Sequence, residues 1–545
     1  MSRNTDDHFG EIPSKDIRRS KLRMPFRHLT TFNTGDIIPI FHKEVLPGDT
    51  FSLNESFVIR ETTPIAPVMD NAFIDTYYFF VPRRLLWEHW REFMGENRDD
   101  AWTQEVEYTL PKTTAPEGGW SKGSIASYLG ARIGTDNIWI DSCYLRAYAL
   151  IFNEWFRNEN VSEPAEVTLS DSNSTGSNGT DYVIDAQLGG MPCKAVKYAD
   201  YFTRALPSPQ KGPDVLLPFA NNMAPVVGGD YYKQGSPDIE TDERAKGSLI
   251  GFENAGLGAV ALHYKNPDIG FDDFSGQLDA AKGASLWADL NNVSSVTINQ
   301  LRQAFAVQRM AELDARGGTR YIEMIASHFG VHSPDARMQR PEYIGGKRVP
   351  INVADVLQNS STDAVTPQGN VAGYSKTIDS HETFTYSSTE HGIIMGLAVV
   401  RTDHTYQQGI PRSLTRQKKL DFYFPALANL GEQYIKNREI YAQGTSADEE
   451  AFGYQEAWAD YRYSNSYVTG ELNSDYTTPL DIWHYADDYD SLPTLSNAWI
   501  SETDANVQRT LAIQNQDQWI ADFYFDLVAV RPMPVYSVPS LGSWM

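Results

Sequence analysis

Phe51-Ser-Leu-Asn-Glu-Ser-Phe-Val-Ile59 and Phe73-Ile-Asp-Thr-Tyr-Tyr-Phe-Phe-Val81 decide the fold class. The first places Phe51, Leu53, Phe57 and Ile59 two residues apart, so all four fall on one face of a β-strand. The second is apolar at almost every position, as a strand buried on both faces must be. Ahead of both, Ile37 to Leu46 is strand-like except at Pro39, which predicts an edge strand or a bulge. Pro47-Gly48-Asp49 supplies the turn between the first two runs. Three strands within residues 37–81 have the spacing of a β-sandwich.

Further along, Gly392 to Arg401 reads as a strand, and Trp519 to Arg531 alternates Phe523, Phe525 and Leu527 against Tyr524, Asp526 and Val528. Helices interrupt this pattern without alternating with it. Leu86, Trp87, Trp90, Phe93 and Met94 share a stripe before Gly95. Asp141-Ser142 can cap a helix lined by Tyr144, Leu145, Tyr148, Ile151, Phe152 and Trp155. A third helix opens at Thr297-x-x-Gln300 and stops at Gly317-Gly318, and a fourth runs from about Arg320 to Phe329. Residues 170–181 are small and polar, and 207–293 is rich in Gly, Pro, Asn and Asp; both read as surface excursions.

The chain has 545 residues, 66 of them aromatic, and 46 basic residues stand against 71 acidic ones, a net charge of −25. Such a balance disfavours a protein that coats nucleic acid generally, since phosphate binding needs positive charge. It leaves room for one basic segment. Lys15, Arg18, Arg19, Lys21, Arg23 and Arg27 lie in thirteen residues opposed only by Asp16. We read residues 1–28 as an arm, extended or ordered by a partner, whose forked cations suit phosphate oxygens. Met1 to Arg23 has no signal-peptide core, and the longest apolar run, Gly392 to Val400, is nine residues where a spanning helix needs about 20, so no membrane insertion is expected. Cys143 and Cys193 are too few for a disulfide framework or a four-cysteine zinc site.

Motifs for chemistry are weak. Gly119-Trp-Ser121-Lys-Gly123 fits the nucleophile-elbow pattern but follows a proline-rich loop. Gly256-Leu-Gly258-Ala-Val-Ala261 lacks a βαβ context, and Gly345-Gly346-Lys347 is not a P-loop. His381-Glu382 and Glu390-His391 are neighbours that a strand sends to opposite faces. Asp487-Asp488-Tyr489-Asp490 offers oxygen ligands for a cation, but acidic loop clusters are usually only solvated. We expect no catalytic residue, no metal and no cofactor.

Several blocks carry a resemblance. Tyr77-Tyr-Phe-Phe-Val-Pro-Arg-Arg-Leu-Leu-Trp87, Tyr144-Leu-Arg-Ala-Tyr148, Phe152-Asn-Glu-Trp-Phe-Arg157, Ser327-His-Phe-Gly-Val331, Arg340-Pro-Glu-Tyr-Ile-Gly-Gly346 and Arg531-Pro-Met-Pro-Val-Tyr536 resemble, in order, those of gokushovirus (Microviridae) major capsid proteins. Residues 207–293 match weakly. The resemblance implies a mainly β fold, a single eight-stranded viral jelly roll with long helix- and loop-containing insertions. It implies a capsid domain over 29–545, with insertions at about 83–180 and a surface protrusion at about 207–293. It further implies a T=1 shell of sixty copies around circular single-stranded DNA, a virion component assembled in the bacterial cytoplasm. Partners would be a small basic DNA-packaging protein, a pilot or minor capsid protein, a scaffolding protein and a host receptor. The arm residues would then contact DNA on the inner wall. The alternative from another class is a β-sandwich carbohydrate-binding protein or glycoside hydrolase, since Trp- and Tyr-rich acidic β proteins stack on sugars.

Overall fold

The computed structural model describes residues 17–96, 107–215, 298–357 and 371–537, and four short strands between 226 and 288. Among the described residues nine strands build the two large antiparallel sheets: β1 (Ser20–Arg23), β2 (Phe26–Phe32), β3 (Ile38–Val45), β4 (Thr50–Glu61), β5 (Ala72–Pro82), β6 (Glu342–Ile351), β7 (Thr377–Ser387), β8 (Gly392–Thr402) and β9 (Trp519–Arg531). In the first sheet the order is β1 and β2, then β9, β4 and β7; in the second it is β6, β5, β8, β3. β1 and β2 succeed one another along β9, with Ser20 opposite Arg531 and Phe32 opposite Trp519, so they fill one strand position. Each sheet is therefore four positions wide. The chain crosses between sheets at nearly every step, and its first and last strands are neighbours. That winding is a jelly roll.

Between the sheets the alternating strands meet. Phe51, Leu53, Phe57 and Ile59 of β4 and Phe523, Phe525 and Leu527 of β9 face Ile74, Tyr78 and Phe80 of β5, all essentially without exposure. Each such side chain stabilises the fold by roughly 1.5–3 kcal/mol. The second sheet is covered on its other side as well. Helix α1 (Ser142–Ile151), capped by the Asp141 carboxylate on the Cys143 N–H, packs Leu145, Tyr148 and Ile151 against Phe79, Val81, Ile393, Met395, Leu397 and Val399. This accounts for the doubly apolar β5 and β8. The Pro39 expectation also holds: β3 is an edge strand, and its register with β8 slips between Phe41 and Pro39. At Gly396 of β8 a Cβ would stand 2.5 Å from the Tyr78 ring, so the strand can pass that ring only as glycine.

The structure redraws several boundaries. Residues 20–28, expected within a loose arm, are largely strand, because β1 and β2 hydrogen-bond to β9. The expected helix after Pro82 is a 3-10 turn (Arg83–Leu85) and one short helical turn (Trp90–Phe93), and only Leu86, Trp87 and Trp90 of its stripe are buried. Everything from 83 to 341 is one connection between β5 and β6, and a second long connection, 403–518, joins β8 to β9. Helix α2 (Ile298–Gly317) ends at the predicted Gly317-Gly318, and α3 (Tyr321–Phe329) falls within the expected 320–329; Thr297 lies outside the described residues. Pro213–Met310 forms a compact unit separate from the rest of the chain. Within it Ile250–Ala255 pairs with Ala259–Tyr264, and Leu286–Ala288 with Val226–Gly228.

Candidate nucleic-acid interface

Because the second sheet is covered, the outer face of the first sheet is where the sequence-predicted cations can be compared with a surface. Direct pairing fixes who shares that face. Lys21, Val530, Thr50 and Ser387 form one row; Arg23, Val528, Ser52 and Thr385 the next. Arg27, Tyr524, Ser56 and Ser380 form a third, and Leu29, Asp522, Val58 and Ile378 a fourth. Hydroxyls meet across the β4–β7 seam: Thr50 and Ser387 at 2.8 Å, Ser56 and Ser380 at 2.7 Å, Thr385 and Ser52 at 3.2 Å. Leu29, Ile378, Ile520 and Tyr524 project into solvent from the same face.

Arg23 donates twice to Asp526, at 2.8 and 2.9 Å, and Arg27 donates to Asp522 at 2.5 Å. These hydrogen bonds hold the Asp526 carboxyl below its usual range and raise both guanidiniums. The arginines are exposed and their carboxylate partners half-buried at the surface, so the pairs contribute little to stability, but they neutralise two of the six candidate cations. Arg18, Arg19 and Lys21 are exposed, and no carboxylate pairs with them among the described residues. Lys15 lies outside the described residues. The geometry thus splits the set into paired Arg23 and Arg27 and unpaired Arg18, Arg19 and Lys21.

The motifs weighed for chemistry take structural roles. Trp120 is buried and Ser121 is followed by a short helix capped by Ser124, with no buried strand feeding the turn. Gly345 and Gly346 lie in β6, where a Cβ would strike the Thr383 and Thr76 carbonyls. Residues 256–258 lie outside the described residues. His381 bonds Asp379 at 2.8 Å, and Glu390 pairs with Arg84 at 2.7 Å.

Asp487, read as a member of a loop cluster, is buried. It accepts from Lys197 at 3.1 Å, Asn506 at 2.6 Å and Tyr489 at 3.0 Å, and meets His404 at 3.2 Å. On its other side His404 meets Glu502 at 3.1 Å. Burial opposes charge on His404, yet the two carboxylates outweigh it and push the imidazole up to about 10. Burial likewise opposes charge on Asp487, but His404 and Lys197 carry it well below the carboxylate range. The cluster ties Lys197 of the first long connection to the second, and no oxygen of Asp487 is left for a cation. Among the described residues no group of three or more His, Cys, Asp or Glu is placed to hold a metal, and no helix is long and apolar enough to cross a membrane.

Fold and surface define a class: a jelly roll, the architecture of viral capsid and lectin domains, whose long connections cover one sheet and, among the described residues, leave the outer face of the other uncovered. A family model described as capsid protein (F protein) matches residues 10–541. The chain is 43% identical to the capsid protein VP1 of Spiroplasma virus 4, over 98% of this chain and 97% of that one. It is 38% identical to the capsid protein VP1 of Chlamydia phage 1, covering 98% of both, and 39% identical to that of Bdellovibrio phage phiMH2K, covering 99% and 98%. The chain belongs to the capsid protein (F protein) family of these bacteriophages. Its role is structural, in a virus coat, and the carbohydrate-active alternative falls away.

Proposed function

We propose that sixty copies of this chain close a T=1 icosahedral shell around a circular single-stranded DNA genome, with the bare face of the first sheet and the segment leading into it turned toward the DNA. The observation that carries the inner-face assignment is the row structure of that sheet. Lys21, Arg23, Arg27 and Arg60 are ranged with a seam of hydroxyls and the exposed Tyr524 ring on one uncovered surface. Hydroxyls and cations bind phosphate and sugar, and an exposed ring stacks on any base, so such a face suits a single strand without reading its sequence.

Sixty chains at −25 bring about 1500 negative charges to a polyanion, so basic groups must be segregated inward. Pro213–Met310, compact by itself, supports a surface protrusion close to the expected 207–293, and attachment to a host surface molecule is the role proposed for it. Assembly in the host cytoplasm, with scaffolding and pilot proteins and a small basic packaging protein, completes the reading.

The test is the DNA content of purified particles, from absorbance at 260 and 280 nm. Arg18→Ala/Arg19→Ala/Lys21→Ala particles should package or retain less DNA than the parent. Unchanged DNA content and particle stability would refute the inner-face assignment, and cryo-electron microscopy showing shells of another symmetry would refute the T=1 reading.

A further inference from the structure

The connection 403–518 carries two exposed segments of opposite chemical character. Between 410 and 430 the chain forms a ribbon with three 3-10 turns, Arg412–Leu414, Lys419–Asp421 and Pro425–Leu427. It is pinned from beneath. Arg412 pairs with Glu439 at 2.6 Å and Arg416 with Asp460. The Trp458 indole N–H donates to the Leu427 carbonyl at 3.1 Å, and the Tyr423 ring stands edge-on to Trp458 at 5.9 Å.

A ribbon fixed this firmly would be expected to bury its apolar side chains, yet it turns them outward. Leu414 is 76% exposed, Leu420 70%, Leu430 61% and Phe422 48%. Large apolar side chains held outward along one fixed segment mark an interface, because keeping them in water is unfavourable. Between 410 and 430 there are four basic residues and one acidic residue, Asp421, and among the described residues no carboxylate pairs with the Lys418 or Lys419 ammonium.

The second segment, 463–490, contains no Lys or Arg; Arg462 and Arg509 are the nearest on either side. Glu471, Asp475, Asp488 and Asp490 are exposed on it. Among them stand exposed Tyr467, Leu472, Tyr476 and Leu480. One segment is basic and apolar, the other acidic and apolar, and both belong to the same chain.

We propose that the 410–430 ribbon of one copy docks on the 463–490 segment of a neighbouring copy. Lys418 and Lys419 face the carboxylates, while Leu414, Leu420 and Phe422 pack with the exposed tyrosines and leucines. DNA would suit the lysines but would leave the leucines in water, which is why a second copy is the occupant. Anchoring from beneath pre-organises the ribbon, so little entropy is lost on docking, and contact between two different patches repeats from copy to copy and can close into a ring. This inference rests on the coat-protein reading.

The experiment complements coat-defective phage in infected cells and measures particles by sedimentation, with proteolysis of the soluble chain as the check on folding. Lys418→Glu/Lys419→Glu should leave the chain folded and lower particle yield by at least about tenfold, since like charges across an interface cost several kcal/mol. Adding Asp475→Lys/Asp490→Lys in the same chain should restore a substantial part of the yield. Three results overturn the proposal: wild-type yield from the lysine variant, a loss the added reversal does not relieve, or normal shells with depleted DNA. If the wild-type chain itself forms no particles under these conditions, the coat reading fails, and not only this contact.

Discussion

Glu55 offers a test of the core because it is a carboxylate where the strand period demands an apolar side chain. It sits on the inward row of β4 between Leu53 and Phe57, with no exposure, and neither oxygen has a well-formed hydrogen bond. Around it are the Tyr78 and Thr76 side chains, Asp379, Lys347, and the His381 Nε2 atom at 3.6 Å. Burial raises the Glu55 carboxyl from its usual 4.5 to about 7. The folded state therefore holds this proton more tightly than the unfolded chain. The resulting stability is fully present below pH 4.5 and is lost as pH rises through about 7. At about 1.4 kcal/mol per pH unit, the loss across that window is roughly 3 kcal/mol. Glu55→Gln keeps the shape and has nothing to ionise. Melting of folded, unassembled subunits at pH 5, 6, 7 and 8 should show the variant close to wild type at pH 5 and a few degrees more stable at pH 8. Glu61, also buried and raised to about 7 by burial, adds a second slope of the same sign, which Glu61→Gln should flatten in the double variant. A Glu55→Gln chain less stable than wild type at pH 8, or offset equally at every pH, would refute the reasoning.

Three further outcomes follow from named contacts. His404→Ala leaves Asp487 and Glu502 buried without the cation between them and should cost about 3–5 kcal/mol in chemical denaturation; in the wild type this contribution is complete below pH 6.5 and lost only as pH rises through about 10. Gly396→Ala drives a methyl into the Tyr78 ring and should destabilise by about 1–3 kcal/mol, seen as a lower denaturation midpoint. Arg23→Ala/Arg27→Ala particles should lose less DNA than Arg18→Ala/Arg19→Ala/Lys21→Ala particles, because Asp526 and Asp522 already engage the first pair; equal losses would remove the distinction.

What was legible in the sequence was what period two writes locally. β4, β8 and β9 emerge close to their observed limits, since each alternates or is apolar throughout. β1 and β2 were hidden by their own cations. Ser20-Lys-Leu-Arg23 and Phe26-Arg-His-Leu29 do alternate, but only Leu22 and Phe26 carry the apolar half of the signal, and the Asp522 and Asp526 that complete the outward half lie some 500 residues away in sequence. The Asp487 cluster was misread for a related reason. Locally it is an acidic, loop-like run, and the groups that make it a buried network, Lys197, His404 and Asn506, reach it from distant segments. Glu55 was readable in principle, because the row Phe51, Leu53, Phe57, Ile59 points it inward.

If the outer face of the first sheet meets DNA as proposed, its charges constrain how a strand could be held there. Lys21, Arg23, Arg27 and Arg60 share it with Asp522, Asp526 and Glu382, so its net charge is close to neutral. Salt-dependent affinity for a single strand follows the number of phosphates neutralised, and each phosphate that takes Arg23 or Arg27 must displace a carboxylate already hydrogen-bonded to it. On the proposed reading, phosphate neutralisation by this face alone would be weak, and its hydroxyls and the Tyr524 ring would supply positioning in place of charge. On that reading positive charge would come from residues 15–21 and from a separate polycation, which is the physical case for the proposed small basic packaging protein. Measuring cation content closes the argument. Particles purified with their genome should hold enough basic protein or polyamine to neutralise most of the phosphates. Full particles containing coat protein and DNA with only monovalent counterions would show that this face does more electrostatic work than its paired charges allow.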